Sequence, residues 1–261
     1  METTMETLDH KVNAEELESR VKQMYTEVAE QPKAEYHFEM GRGLAEKLGY
    51  PKTDLDAIPA PAIDSFAGVG YHFGLAGMRE GERVLDLGSG SGTDLFIAAL
   101  KSGKSGQVVG VDMTAAQLDK AEDLKKRGGF ENVSLVKSYI EELPFENESF
   151  DIVISNGVIN LSPTKEKVFR EIARVLKQGG RLAISDIVTS RLLSERIKSS
   201  AELWAACIGG AIPQEDYLAL MEHTGLRVRT VQENAKYKFL THDEVMEKYG
   251  VKSISLVAVK T

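Results

Sequence analysis

Three glycines and a later aspartate have the spacing of a nucleoside-binding site. Gly88, Gly90 and Gly92 follow an apolar segment, and Asp112 lies 20 residues beyond Gly92, at the end of a second apolar segment. Glycines let a backbone turn tightly and approach a ligand, because no Cβ atom stands in the way. An aspartate at the end of the second strand can accept hydrogen bonds from both ribose hydroxyls. We interpret Asp112 as a ribose-binding residue, with an exposed strand-end acid as the alternative.

The spacing also separates two classes of nucleotide cofactor. A dinucleotide fingerprint needs a further glycine where Thr93 stands. Asp86 precedes the turn, and a carboxylate there would repel a pyrophosphate but could pair with an ammonium group. The pattern D-x-G-x-G-x-G that starts at Asp86 resembles motif I of the class I S-adenosylmethionine (SAM) methyltransferases. The resemblance implies SAM as the cofactor, bound by Asp86, Gly88, Ser89, Gly90 and Gly92. A nicotinamide oxidoreductase on a similar fold is the alternative.

Further cofactor residues are expected where the other strands end, because parallel sheets bind ligands at the carboxyl ends of their strands. Met113 could pack on an adenine face or act as a hydrophobic staple for the next helix. Residues 139–145 resemble the methyltransferase loop that meets the adenine amino group, and there we favour Glu141 over Glu142. Asp94 could instead be an acid favoured by a helix dipole. The full set added by this rule is Asp94, Asp112, Met113, Ile140, Glu141, Ser155 and Asn156.

Three longer segments resemble the arsenite methyltransferases, a family within class I. They are residues 45–50, 110–114 and 155–163. That family binds trivalent arsenic through three cysteine thiolates, and the resemblance places these at Val69, Gly157 and Cys207.

Two of the three thiols are therefore absent. A soft, three-coordinate metalloid prefers thiolate sulfur, and Cys207 alone supplies one bond at most. A lone cysteine is more often a small buried hydrophobe than a ligand, and we expect the same of Cys207. We expect a methyltransferase that acts on a carbon, oxygen or nitrogen atom of a small molecule. The alternatives are an arsenite methyltransferase that uses Cys207 with external thiols, and a SAM-binding protein without catalysis.

Four side chains are candidates for the acceptor side: Tyr36, His37, Tyr71 and His72. They lie in two aromatic segments that precede the glycine turn, where they could form an apolar pocket for the acceptor. Methyl transfer from a sulfonium mainly needs alignment and exclusion of water, and a general base only for a nucleophile that carries a proton of high pKa. The alternative is that these aromatic residues simply pack onto the core.

Strands that alternate with helices predict an α/β fold, with a Rossmann-like, doubly wound, mostly parallel sheet. Thr114 and Gln117 predict a capping box at the start of the second core helix. The predicted strands are residues 83–87, 107–111, 133–137, 150–155, 181–187, 226–231 and 253–259.

Three regions are expected along the chain. Residues 1–65 would be a helical extension or lid, with a helix over about 35–48 and a proline-rich linker over 54–61. Residues 66–190 would form the SAM-binding core. Residues 191–261 would complete the sheet and the acceptor site.

The composition limits the partners. A chain of 261 residues with 42% hydrophobic and 28% charged residues is typical of a soluble globular protein. A net charge of −8 argues against nucleic acid, and no apolar run reaches the length of a membrane span. One cysteine and five scattered histidines predict no metal site. The polar, acidic start predicts no secretory signal, and we expect a cytoplasmic protein. We also expect it to act on a small-molecule acceptor as a monomer or homodimer.

Overall fold

Seven strands form one sheet in the order β3-β2-β1-β4-β5-β7-β6. The computed structural model describes residues 14–200, 203–204, 207–240 and 243–261. β1 to β5 run parallel, whereas β7 is antiparallel to both β5 and β6. The strands are β1 (Arg83–Leu87), β2 (Gln107–Asp112), β3 (Val133–Lys137), β4 (Phe150–Asn156), β5 (Leu176–Val188), β6 (Leu226–Glu233) and β7 (Lys252–Lys260). This arrangement confirms the predicted Rossmann-like, mostly parallel sheet.

Helices cover both faces of the sheet because the central strands are apolar on both sides. In β4, Val153 packs into one core cluster with Phe169, whereas Ile152 and Ile154 pack into the other with Phe96. The helices in the first half of the chain are α1 (Ala14–Glu30), α2 (Gly41–Leu48), α3 (Lys52–Asp56), α4 (Ala60–Asp64), α5 (Phe73–Ala76), α6 (Thr93–Ser102) and α7 (Ala115–Gly128). A 3₁₀ turn (Ile159–Leu161) and α8 (Lys165–Val175), α9 (Glu195–Lys198), α10 (Gln214–His223) and α11 (Asp243–Tyr249) follow.

Two predictions for the N-terminal region are wrong in detail. The helix expected over 35–48 begins only at Gly41, whose φ of +77° is left-handed and whose N–H donates to the Phe66 carbonyl at 2.8 Å. The expected linker over 54–61 is largely helical, as the end of α3 and the start of α4. Proline fits there because Pro59 is the N-cap residue of α4 and Pro61 lies in its first turn, where no intrahelical N–H is needed.

The predicted capping box at α7 is also wrong. Thr114 is the N-cap residue, but its side chain makes no capping hydrogen bond. Gln117 instead donates from Nε2 to the Tyr25 carbonyl at 2.8 Å and accepts from the Ser91 hydroxyl at 2.5 Å. Asp112 accepts the Thr114 N–H at 2.8 Å. Residues expected to cap a helix therefore join α1, the glycine turn and the end of β2.

No helix within the described ranges is both long and apolar enough to cross a membrane.

Candidate functional site

A cavity of about 540 Å³ lies at the carboxyl ends of β1, β2 and β4, where the strand order reverses. The turn after β1 and the loop after β3 form its walls, and α1 covers it. Ten of the residues predicted to bind the cofactor line this cavity: Asp86, Gly88, Ser89, Gly90, Asp94, Asp112, Met113, Ile140, Glu141 and Asn156.

The other two predicted cofactor residues are not among the described residues that line the cavity. Ser155 is buried and donates to the Leu87 carbonyl at 2.9 Å, so it joins β4 to β1. Gly92 has φ +101°, and a Cβ there would lie 2.6 Å from the Phe96 ring. The absence of a side chain at Gly92 therefore leaves room for the Phe96 ring of α6. Both residues therefore support the wall of the cavity without lining it.

Asp112 is the residue best placed for a ribose. Its Oδ2 accepts the Gly90 N–H at 3.0 Å, and its Oδ1 accepts the Thr114 N–H at 2.8 Å. Burial raises the pKa of Asp112, and these backbone hydrogen bonds oppose that shift. A carboxylate has about four lone-pair sites, so each oxygen can still accept a hydroxyl. The two N–H groups hold the carboxylate rigidly at the rim of the cavity.

Asp86 is a buried acid that lacks a complete set of partners. Its side chain is 2% exposed, and neither its Oδ2 nor the nearby Ser89 hydroxyl has a hydrogen-bond partner among the described residues. Burial raises the pKa of Asp86 well above its ordinary value, and the charges of Asp94 and Asp112 add to the shift. An unpaired buried acceptor is costly unless a ligand supplies a donor. The site therefore fits a ligand that carries an ammonium group.

Asp94 is held by two side chains from distant parts of the chain. Its Oδ1 accepts the Tyr50 hydroxyl at 2.7 Å, and its Oδ2 accepts Nδ2 of Asn156 at 3.0 Å. Asn156 Oδ1 also accepts the Val69 N–H at 2.8 Å. Asn156 thus joins the end of β4 to the segment before β1. Tyr50 was not predicted, because no local pattern indicates a contact with a residue 44 positions away.

The N-terminal helix closes the side of the cavity that is formed by the loop after β3. Lys22 donates to Glu18 and to the Tyr139 hydroxyl, both at 2.6 Å, and that hydroxyl donates to Glu18 at 2.6 Å. In the loop after β3, Glu141 accepts the Ser162 hydroxyl at 2.5 Å. Three more side chains of α1 line the cavity: Leu17, Val21 and Tyr25. Tyr25 was missed because its position on an amphipathic helix indicates only burial.

The four predicted acceptor-side residues do not belong to the described lining of the cavity. The Tyr36 hydroxyl donates to the Gln31 carbonyl at 3.0 Å, and the His37 ring packs edge-on against Phe38. Tyr71 lies behind the wall, with its ring 4.8 Å from that of Tyr50.

His72 is fully buried and stacks on Phe73. Burial lowers its pKa, and neither ring nitrogen has a hydrogen-bond partner among the described residues. Its imidazole is therefore uncharged at neutral pH.

The three positions that the resemblance assigns to arsenic-binding cysteines lie together. A Cβ on Gly157 would be 3.2 Å from Cγ1 of Val69. The Cys207 sulfur lies 3.9 Å from the Gly157 carbonyl oxygen, and Cys207 packs in the same apolar cluster as Val69. Burial raises the pKa of Cys207 to about 12, so its thiol is protonated at neutral pH. In the part of the chain that the structure describes, His, Cys, Asp and Glu side chains form no metal-binding group of three.

A family model described as a methyltransferase domain matches residues 78–236, which include the cavity walls formed by β1 to β4. The chain belongs to the class I SAM-dependent methyltransferases. Its cofactor is SAM, as predicted, and the nicotinamide alternative falls away. The buried acid Asp86 is the feature of the cavity that best matches the ammonium group of SAM.

Five curated relatives at 39–43% identity are arsenite methyltransferases. That of Halobacterium salinarum is 39% identical over 181 residues, which cover 69% of this chain and 46% of the relative. That of Homo sapiens is 43% identical over 151 residues, covering 54% and 40%. The crystal structure of an arsenic(III) SAM methyltransferase from Chlamydomonas reinhardtii has a TM-score of 0.68 at 34% identity, covering 80% of this chain and 72% of that one. The chain spans about half the length of the curated relatives it matches.

Proposed function

We propose that the protein transfers a methyl group from SAM to a carbon, oxygen or nitrogen atom of a small molecule. The observation that carries this proposal is the convergence of Val69, Gly157 and Cys207 beside the cofactor cavity. The family's arsenic-binding positions come together here, but they carry an isopropyl group, no side chain and one protonated thiol. An organic acceptor suits that surface better than a soft metalloid does.

The chain's own residues bind and orient the donor in this proposal. SAM supplies an electrophilic methyl carbon: an electron pair of the acceptor atom forms the new bond, the sulfur keeps the electron pair of the broken bond, and any proton on the acceptor atom passes to water. Asp86 would pair with the ammonium group and Asp112 with the ribose hydroxyls. Met113 and Ile140 would contact the adenine. The cover formed by α1 would exclude water, which matters because alignment and desolvation supply most of the acceleration.

The finer features of the protein belong to this proposal as well. Residues 1–65, of which 1–13 lie outside the described residues, would act as the lid. Residues 66–190 would act as the cofactor domain, and 191–261 as the part that completes the acceptor side. We propose a cytoplasmic monomer or homodimer that acts on a free small molecule and not on nucleic acid. The net charge of −8 supports that choice of acceptor.

The test is a screen for methyl transfer from SAM labelled on its methyl group, with a metabolite extract as the source of acceptors. We expect label in an organic product and equimolar S-adenosylhomocysteine. Absence of turnover in every fraction, together with intact SAM binding, would favour a non-catalytic SAM-binding protein.

Arsenite is the second candidate acceptor, because the relatives at 39–43% identity are arsenite methyltransferases. We expect arsenite with glutathione to be methylated very slowly or not at all, since Cys207 supplies one protonated sulfur. Installing the missing thiols through Val69→Cys and Gly157→Cys should create measurable arsenite binding. The control is Val69→Ser with Gly157→Ser, which imposes the same strain at Gly157 (φ +74°) without sulfur. Rapid arsenite methylation by the unchanged protein, lost in Cys207→Ser, would overturn the proposal.

A further inference from the structure

Three uncharged side chains with polar hydrogens lie together between the cofactor cavity and the C-terminal part of the chain. Tyr25 lines the cavity, and its hydroxyl lies beside the Cys207 thiol. Cys207 has φ +61°, a left-handed conformation that is uncommon for a residue with a side chain. Tyr237 packs in the same apolar cluster as Cys207 and Val69. We call Tyr25, Cys207 and Tyr237 the protic cluster.

The carboxylates nearest to the protic cluster already have partners. Asp112, Asp186 and Glu39 are the acids whose charges act on its members. Asp112 accepts two backbone N–H groups. Asp186 accepts the Tyr217 hydroxyl at 2.8 Å and two backbone N–H groups. Glu39 pairs with Lys47 at 2.7 Å.

Charged acceptors therefore find no counter-ion in the described surroundings of this cluster. Lys165 already acts on the charge of Asp186, and Lys47 pairs with Glu39. In the proposed function the ribose hydroxyls take the free lone pairs of Asp112. A cation would have to displace these partners, and an anion would have to approach three acids. Burying a charge without a partner costs far more than burying a neutral polar group. Burial also raises the pKa values of Tyr25, Cys207 and Tyr237, so all three keep their protons at neutral pH.

The hydroxyl of Tyr25 has a poor partner. Thiol sulfur is a weak hydrogen-bond acceptor, so the Tyr25 hydroxyl gains by exchanging Cys207 for an oxygen or nitrogen atom of a ligand. Tyr25 also lines the cofactor cavity, so an acceptor bonded to it would lie next to the donor.

We propose that the protic cluster binds the methyl acceptor, and that this acceptor is an uncharged molecule that accepts a hydrogen bond from the Tyr25 hydroxyl. This inference rests on the proposed function and specifies its substrate class. It assigns acceptor binding to Tyr25 on the lid helix, in place of the four aromatic and imidazole residues predicted from the sequence. Discrimination against ionic acceptors follows from the occupied acids behind the cluster.

The test uses three probes of matched shape that differ in charge: para-fluorobenzyl alcohol, para-fluorobenzoate and para-fluorobenzylammonium. Their binding is measured by fluorine NMR, with and without S-adenosylhomocysteine. We expect the alcohol to bind most tightly, and Tyr25→Phe to weaken it about fivefold, the effect of one neutral hydrogen bond. The matched control is Tyr249→Phe, which removes a hydroxyl that bonds to Ser194 from the apolar cluster that also holds Cys207 and Tyr237. It should leave the binding of all three probes unchanged.

Tighter binding of either ionic probe, or equal binding of the alcohol to wild type and Tyr25→Phe, would overturn the inference. Tyr25→Phe keeps the ring that packs in the lid, so a folding defect is not expected, and circular dichroism checks this. Calorimetry with S-adenosylhomocysteine is the separate measurement for the proposed function. If the wild type does not bind S-adenosylhomocysteine, the proposed function is wrong. The ranking of the three probes tests the protic cluster whether or not S-adenosylhomocysteine binds.

Discussion

The carboxylate of Asp112 both holds the glycine turn and presents free lone pairs to the cavity. We expect Asp112→Ala to weaken SAM and S-adenosylhomocysteine binding by about ten- to a hundredfold, because charge-assisted hydrogen bonds contribute roughly 1.5–3 kcal/mol. Asp112→Asn keeps one acceptor oxygen and should lose less. The exposed Asp119→Ala is the control, with titration calorimetry as the measurement. Unchanged affinity in Asp112→Ala would mean that the ribose lies elsewhere.

Gly90 is constrained by its backbone and not by crowding. Its φ is +52°, yet a Cβ there would meet only Oε1 of Gln117, at 3.7 Å. We expect Gly90→Val to abolish SAM binding, because a β-branched residue resists this conformation and would displace the N–H that bonds to Asp112. Gly129→Val is the control, since Gly129 has φ +68° and open space but lies at the far end of α7. If Gly90→Val still binds SAM while folded, the turn does not contact the ligand.

The lid helix α1 is attached to the core through Gln117. The Nε2 of that side chain donates to the Tyr25 carbonyl, and its Oε1 accepts the Ser91 hydroxyl. We expect Gln117→Ala to raise hydrogen exchange across residues 14–30 and to weaken SAM binding about fivefold, since each buried hydrogen bond contributes about 1 kcal/mol. The exposed Gln107→Ala serves as the reference in exchange mass spectrometry. Protection of α1 that matches the wild type would show that Gln117 does not hold the lid.

At the scale of elements, the sequence predicts the sheet well because each strand is marked by its own apolar residues. The strands predicted at 83–87 and 133–137 have the observed bounds. The failures lie where a distant partner overrides a local pattern. Gln117 has the type and position of a capping residue, but Tyr25 and Ser91 compete for it.

The same limit applies to the site. The glycine turn and Asp112 lie within 25 residues of each other and form one recognisable pattern. The residues on the cofactor side could therefore be predicted from the sequence. The proposed acceptor side consists of Tyr25, Cys207 and Tyr237, which only the folded chain brings together. No spacing rule connects residues so far apart.

For the whole molecule, buried Asp186 makes stability depend on pH in an unusual direction. Burial raises its pKa to about 6, above its ordinary value of 3.8. Between these values the folded protein keeps a proton that the unfolded chain has released, so Asp186 makes stability fall as pH rises from 3.8 to about 6. Below 3.8 both states are protonated, and this contribution no longer changes with pH.

Asp186→Asn should remove this dependence. The unfolding free energy of the variant minus that of the wild type should rise across the window, by at most about 1.4 kcal/mol per pH unit. Denaturant titrations at several pH values measure it, and Asp216→Asn on the exposed face of α10 is the control. Parallel profiles for wild type and Asp186→Asn would contradict the assignment.

The antiparallel β7 has a consequence for the order of synthesis. It lies between β5 and β6, pairing with β5 from Arg181↔Val259 to Val188↔Lys252. On the ribosome, β5 is complete several seconds before Lys260 is added, at about 5–20 residues per second. During that interval one edge of β5 has no neighbour, and apolar residues such as Leu182 and Ile184 lack part of their cover. The nascent chain therefore passes through a stage at which the edge of β5 that later pairs with β7 is open.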